Sequence, residues 1–193
     1  ARNVGIKFSS GKYIGFVDSD DWVSKSMYST LIKMCQENKA SIAVCERILV
    51  EPNYIINDGK SEQILVTDTN EALDILYKNK KYYSHAWNKL YKREIFENLE
   101  FPKGKTFEDI RIMHEVFSKA ERIVFIDKGL YYYRCRENSI ARVNNYEMWR
   151  SYFDAYVQRG NSKFTKGREK YLYSNLLEVA EYLKSVDDKP KEY

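Results

Sequence analysis

The segment Tyr13-Ile14-Gly15-Phe16-Val17-Asp18-Ser19-Asp20-Asp21-Trp22 decides how this chain is read. An apolar, β-prone run stops on three carboxylates within four positions, and an aromatic residue follows. Like charges this close repel, and burying any of them unpaired is costly. Two arrangements resolve the conflict. A hard divalent cation takes oxygen ligands, and Asp18 and Asp20 converge on one ion if the backbone turns at Ser19. That site would lie at the carboxyl end of a strand, where open α/β sheets hold their ligands. A solvated turn ahead of a helix also favours Asp, for purely local reasons. The segment alone leaves both readings open.

Outward from it, residues 13–17 read as a buried strand. Lys25 to Asn38 reads as an amphipathic helix, because Met27, Tyr28, Leu31, Ile32 and Cys35 recur at helical spacing, with Ser24 as N-cap. Ser41 to Val50 is β-branched and apolar enough for a second buried strand. The pattern then weakens into short strands around Asn57-Asp58-Gly59, a hairpin signal. A short helix is expected over Asn70 to Tyr77, and a partly looped stretch over Tyr82 to Leu99. Phe101-Pro102-Lys103-Gly104-Lys105 is a break, followed by the clearest helix, Glu108 to Ala120. Arg122 to Asp127 and Leu130 to Cys135 read as two strands either side of Lys128-Gly129. Helices are expected over Met148 to Val157 and Tyr171 to Leu183. Strands and helices alternate early and helices dominate late, which predicts an α/β layer with a helical tail and no internal repeat.

Composition narrows the classes. The chain has 193 residues, enough for one sizeable domain, with 44% hydrophobic and 31% charged residues as in an ordinary globular protein. The net charge is +4 with no dominant basic block, which argues against a dedicated nucleic-acid binder. The 17 tyrosines suit sugar or base stacking and suit a Tyr-rich core equally. Cys35, Cys45 and Cys135 have no zinc spacing and imply no disulfide framework; buried thiols of a cytosolic protein are the expectation. No run approaches the roughly 18 apolar residues of a membrane span, and no signal peptide is seen.

Two further constellations carry chemistry. Thr106-Phe107-Glu108-Asp109 opens the best helix. A carboxylate held there on a rigid element suits a general base, while Thr106 with Asp109 also matches a capping box. Both hold if one of Glu108 and Asp109 caps and the other faces a cleft. Trp87-Asn88-Lys89, with Arg134 and Arg136, offers an aromatic face and cations for a diphosphate or an anionic acceptor; a core aromatic with solvated basic neighbours is the plainer reading. His85 and His114 have no partner spacing suggesting a metal or a triad and are read as ordinary residues. Lys163, Lys166, Arg168 and Lys170 read as a solvated helix face.

Taken in order, these segments resemble the family 2 glycosyltransferases, inverting nucleotide-sugar enzymes of the GT-A fold. The resemblance runs from Ala1-Arg2-Asn3-x-Gly5 through Ser10-Gly11-Lys12-Tyr13-Ile14 to Phe16-Val17-Asp18-Ser19-Asp20-Asp21. It resumes at Trp87-Asn88-Lys89-Leu90-Tyr91, Phe107-Glu108-Asp109 and Leu130-Tyr131-Tyr132-Tyr133-Arg134, with Ser139-Ile140 following, and covers roughly residues 1–140. It implies a partial GT-A mixed sheet flanked by helices over residues 1–142, carrying the metal motif and acceptor side, and a helical extension over 143–193. It implies that Arg2, Asn3, Asp18 and Asp20 bind the nucleotide sugar. Asp18 and Asp20 would hold Mg²⁺ or Mn²⁺ on the diphosphate. Asp109, with Glu108 beside it, would take the acceptor's proton, and Trp87, Lys89 and Arg134 would meet acceptor or diphosphate. The start at Ala1 falls where the family's nucleotide-binding half normally ends, so the chain is expected to be a fragment. No Gln-x-x-Arg-Trp signature follows Asp109, which favours transfer of one sugar over polymerisation.

The expectation is thus a metal-dependent, inverting transferase moving a single sugar from a nucleotide donor, of UDP-sugar type, to a saccharide or lipid-linked acceptor. Bacterial cell-surface polysaccharide synthesis would be its setting, in the cytoplasm or peripheral at the inner membrane face. The rival is a non-catalytic GT-A-like module for binding or assembly.

Overall fold

The computed structural model describes residues 1–57, 59–136 and 145–186. Ser139 and Ile140, and the boundary drawn at 142/143, lie outside the described residues. A seven-stranded mixed sheet is built on β3 (Ile42–Val50) and β7 (Arg122–Arg134), which run parallel from Ile42 opposite Ile123 to Val50 opposite Arg134. All other pairings are antiparallel: β1 (Tyr13–Gly15) on β6 (Lys89–Lys92), β6 on β3, β4 (Ile55–Asn57) on β3, and β5 (Lys60–Asp68) and β2 (Trp22–Val23) on β7.

Alternation along the central strands sorts side chains to two faces, as the two-residue strand period requires. Ala43, Cys45, Val124 and Ile126 pack under Met27, Leu31, Met34 and Cys35 of α2 (Met27–Glu37). Ile42, Val44, Ile123 and Phe125 face the larger core, with α3 (Thr69–Tyr77) and α4 (Glu108–Ser118). Beyond them α5 (Tyr146–Gly160) and α6 (Glu169–Ser185) pair as a helical layer, closing that core with Ala155, Tyr156, Leu172 and Val179. Gly15 ends β1 where a Cβ would come within 2.5 Å of the Tyr28 ring, so only glycine lets α2 approach this closely.

Several expectations are corrected. The helix after Ser24 starts at Met27 with Ser26 as N-cap. The hairpin expected around Asn57-Asp58-Gly59 is not formed among the described residues: β4 pairs with β3 and β5 with β7. The two strands expected around Lys128-Gly129 are one strand, since a register shift against Cys45–Arg47 absorbs the irregularity. The sequence reading has no counterpart for a short helix, α1 (Arg2–Phe8); none of its residues is fully buried, and only Ile6 packs against the core.

Candidate active site

The carboxyl end of β1 and the start of α4 face each other across a cleft of about 810 Å³, lined among others by Arg2, Val17, Asp18, Ser19, Lys105 and Glu108. Arg2 spans it. One guanidinium nitrogen lies 3.2 Å from Asp18 Oδ1, the other pairs with Glu108, and the plane sits 5.6 Å from the Phe101 ring centre. A planar fork reaches two acids at once in a way an ammonium does not. Both acidic segments singled out in the sequence therefore meet at one residue.

The three acids after Val17 divide by partner. Asp21 is an anchor: its carboxylate accepts the Tyr131 hydroxyl at 2.8 Å and the Arg134 N–H at 2.8 Å, tying the turn to β7. Burial raises its pKa, against the lowering effect of those two bonds. The Tyr131 hydroxyl also accepts the Asp18 N–H at 3.1 Å, fixing the backbone ahead of Ser19. Asp18 and Asp20 keep their carboxylates at the surface, each about 37% exposed, with Asp20 3.6 Å from Arg136. Among the described residues no trio of His, Cys, Asp or Glu side chains could by itself hold a metal ion. Two exposed carboxylates with hard oxygen donors still fit Mg²⁺, which is commonly held by one or two carboxylates together with substrate phosphates.

The opening of α4 departs from a capping box. Its N-cap position is Phe107, in the left-handed region at φ 53°, and no side chain caps it, so Thr106 does not bond back as expected. A non-glycine residue in that conformation is strained and persists only where its surroundings hold it. Here the Phe107 ring packs edge-on to Tyr152, with centroids 4.7 Å apart. Two residues on, Asp109 Oδ1 accepts the Ile110 N–H at 2.8 Å while Oδ2 lies 3.9 Å from His85 Nδ1. Burial raises the Asp109 pKa; the Ile110 N–H, Arg2, Arg159 and Lys89 pull it down.

Four expected ligands are placed as follows. Asn3 is a clamp: its amide donates to Phe101 O and accepts from Phe101 N, both at 2.8 Å, so its polar atoms are already engaged by the backbone. Trp87 is 5% exposed, stacked on Tyr131 at 4.7 Å and on His85 at 4.3 Å, and offers no open face to a sugar. Lys89 is fully buried, its Nζ donating to His85 O at 2.7 Å and Asn88 Oδ1 at 2.9 Å, so it cannot touch a diphosphate at the surface. Burial lowers its pKa from 10.5 to about 7. Arg134 is exposed, with its guanidinium 5.2 Å from the Trp22 ring centre.

Two residues passed over in the sequence belong to this region. His85, read as ordinary, stands beside Asp109; the alternation His85, Trp87 was its only local signal. Arg159 is fully buried on α5, donating to Ile110 O at 2.9 Å and to Ser84 Oγ at 2.6 Å. His114 is buried, and burial with the nearby Arg159 charge pushes its pKa down to about 3, keeping it a neutral core residue.

The profile of Glycosyl transferase family 2 matches residues 1–100. The chain belongs to that family. Among its relatives, Glycosyltransferase GlyA of Streptococcus pneumoniae serotype 4 is 32% identical over 93% of this chain and 28% of its own length. The uncharacterized glycosyltransferase EpsJ of Bacillus subtilis is 34% identical over 74% of this chain and 43% of its own. The chain thus spans less than half of these two relatives. The crystal structure of S. aureus TarS 1-349 in complex with UDP-GlcNAc superposes with a TM-score of 0.64 at 21% identity, covering 95% of this chain and 52% of that one. The shared fold is the GT-A type, a mixed sheet flanked by helices. Among the described residues, no helix is long and apolar enough to cross a membrane.

Proposed function

We propose that this chain forms the metal and acceptor side of an inverting glycosyltransferase that moves one sugar from a nucleotide-sugar donor to a saccharide or lipid-linked acceptor. The carrying observation is Arg2, whose pairing with both Asp18 and Glu108 puts one acid from the strand end and one from the helix start on the walls of a single cleft, with Asp20 and Asp109 their near neighbours in the chain. Asp18 and Asp20 would hold Mg²⁺ or Mn²⁺, and that ion would neutralise charge on the departing diphosphate. Arg2 is placed to exchange its carboxylate partners for donor phosphates, and exposed Arg134 is a second cation near the same turn.

Asp109 takes the proton of the acceptor hydroxyl. It sits on the rigid start of a helix, one oxygen fixed by the Ile110 N–H, and burial makes it a better base than a solvated carboxylate. Attack of that hydroxyl on the anomeric carbon, opposite the leaving diphosphate, inverts the centre in one step. TarS, by its description, binds UDP-GlcNAc, which supports a UDP-sugar as donor here. Bacterial surface-polymer synthesis, at the cytoplasmic side and peripheral to the membrane, is the setting we propose.

Calorimetry of the intact protein with UDP tests this reading: binding that requires Mn²⁺ and is lost in Asp20→Ala is expected. Binding indifferent to Mn²⁺ and to Asp20 would overturn the metal role. No UDP, GDP or dTDP binding at all would favour a non-catalytic module.

A further inference from the structure

We propose that His85 is a second contact for the acceptor hydroxyl, its Nδ1 and Asp109 Oδ2 gripping one oxygen between them; this rests on the transferase reading above. With Oδ1 of Asp109 engaged by the Ile110 N–H, Oδ2 is the oxygen turned toward the imidazole. The 3.9 Å between Nδ1 and Oδ2 is too long for a direct hydrogen bond. It is short enough that one oxygen at about 2.8 Å from each atom touches both. The two side chains are 36% and 22% exposed, so a hydroxyl arriving from solvent can reach the gap.

The imidazole is held still. It stacks on Trp87 with rings 7° from parallel, and Trp87 stacks in turn on Tyr131 and Tyr133, anchoring the column on β7. Tyr83 also stacks against it, with ring centroids 5.8 Å apart. The separation of the pair is fixed from below by one buried side chain, since Arg159 bonds both Ile110, next to Asp109, and Ser84, next to His85. Partial desolvation in the aromatic stack, together with the Lys89 and Arg47 charges, lowers the His85 pKa, which favours the neutral ring with one N–H.

The balance of the step is simple. The acceptor O–H donates to Asp109 Oδ2, while Nδ1–H of His85 donates to the same oxygen and leaves a lone pair aimed at the anomeric carbon. The new bond forms between that oxygen and the anomeric carbon. The bond from the anomeric carbon to the diphosphate breaks, and its electron pair leaves with the nucleoside diphosphate. The proton ends on Asp109, and His85 keeps its own. His85 therefore positions the acceptor and takes no proton from it.

The test uses the intact protein with a panel of UDP-, GDP- and dTDP-sugars and an octyl glycoside as the hydroxyl acceptor. His85→Phe keeps the stack and removes the nitrogen; kcat/KM for the acceptor should fall about ten-fold or more, with the donor KM within about two-fold. His85→Asn, which restores a polar atom near Nδ1, should recover part of the loss. A His85→Phe enzyme with unchanged acceptor kcat/KM overturns the inference alone. Equal losses for donor and acceptor, with no recovery in His85→Asn, also overturn it by making the role structural. If His85→Phe fails to fold, the acceptor-to-donor split in His85→Asn decides. A wild-type protein silent across the whole panel overturns the transferase reading and this inference together.

Discussion

Replacing Lys89 by Met separates the pH dependence of stability from everything else at the site. The ammonium of Lys89 is fully buried and donates to two neutral oxygens, His85 O and Asn88 Oδ1. Burial drops its pKa from 10.5 to about 7, while the unfolded chain keeps the ordinary value. Between those values the unfolded state binds more protons than the folded one, so stability rises with pH across the window. Below about pH 7 both states are protonated and the whole cost stands, about 5 kcal/mol for that drop. From pH 7 to pH 9 the relief is about 2 kcal/mol, and it vanishes when the titrating group is removed. Burial lifts Cys35 to about 11 and Cys45 to about 12, which opposes this trend, but both thiols are present in either protein and cancel in the difference. Lys89→Met also orphans two acceptors, which changes the absolute stability and not its slope with pH. Urea unfolding of wild type and variant at pH 7 and pH 9 reads the effect. The wild type should gain about 2 kcal/mol relative to Lys89→Met over that interval. Parallel responses of the two proteins would refute the argument.

Other outcomes follow from the same geometry. Asp109→Asn and Asp20→Ala in the complete protein should each cost at least about 100-fold in transfer with an unchanged unfolding midpoint; full activity in either variant removes the corresponding role. The acid limb of kcat/KM belongs to a base that works deprotonated, and burial raises the Asp109 pKa. Transfer should therefore fall as pH drops through a value above 3.8, and a limb at or below it would count against Asp109. Asn3→Ala removes both bonds to Phe101 and should cost about 1–3 kcal/mol in chemical unfolding; no loss would show that the clamp is idle. Gly15→Ala drives a methyl into Tyr28 and should lower the thermal midpoint, with Tyr28→Ala restoring part of it.

The central strand was legible because Ile42 to Cys45 is a short apolar, partly β-branched run, buried on both faces, and α2 and α4 because their apolar residues recur at helical spacing. Where tertiary pairing overrides a local signal, the reading failed. Lys128-Gly129 looks like a break, yet β3 supplies a partner on both sides and the strand continues. Helix α1 has no fully buried residue and sets only Ile6 against the core, too little for a periodicity to announce it. At the site, the acids were visible as unusual charge after apolar runs. Their partners were not. Asn3 finds Phe101 across 98 positions, and His85 meets Asp109 where Arg159 bonds both the first turn of α4 and the segment holding Ser84. Lys89 reads as a surface cation in any window, and only the closed fold shows it enclosed. The capping box failed for a backbone reason, the left-handed Phe107, which residue types do not encode.

Arg2 gives the cleft a mechanical property as well as a charge. Because one side chain holds an acid on each wall, the walls cannot part without surrendering an ion pair, and a polyanion entering between them must first win that cation away. Width and electrostatic potential are thereby geared to a single rotamer. A lysine at the same position, gripping one wall at a time, would leave the other free to drift.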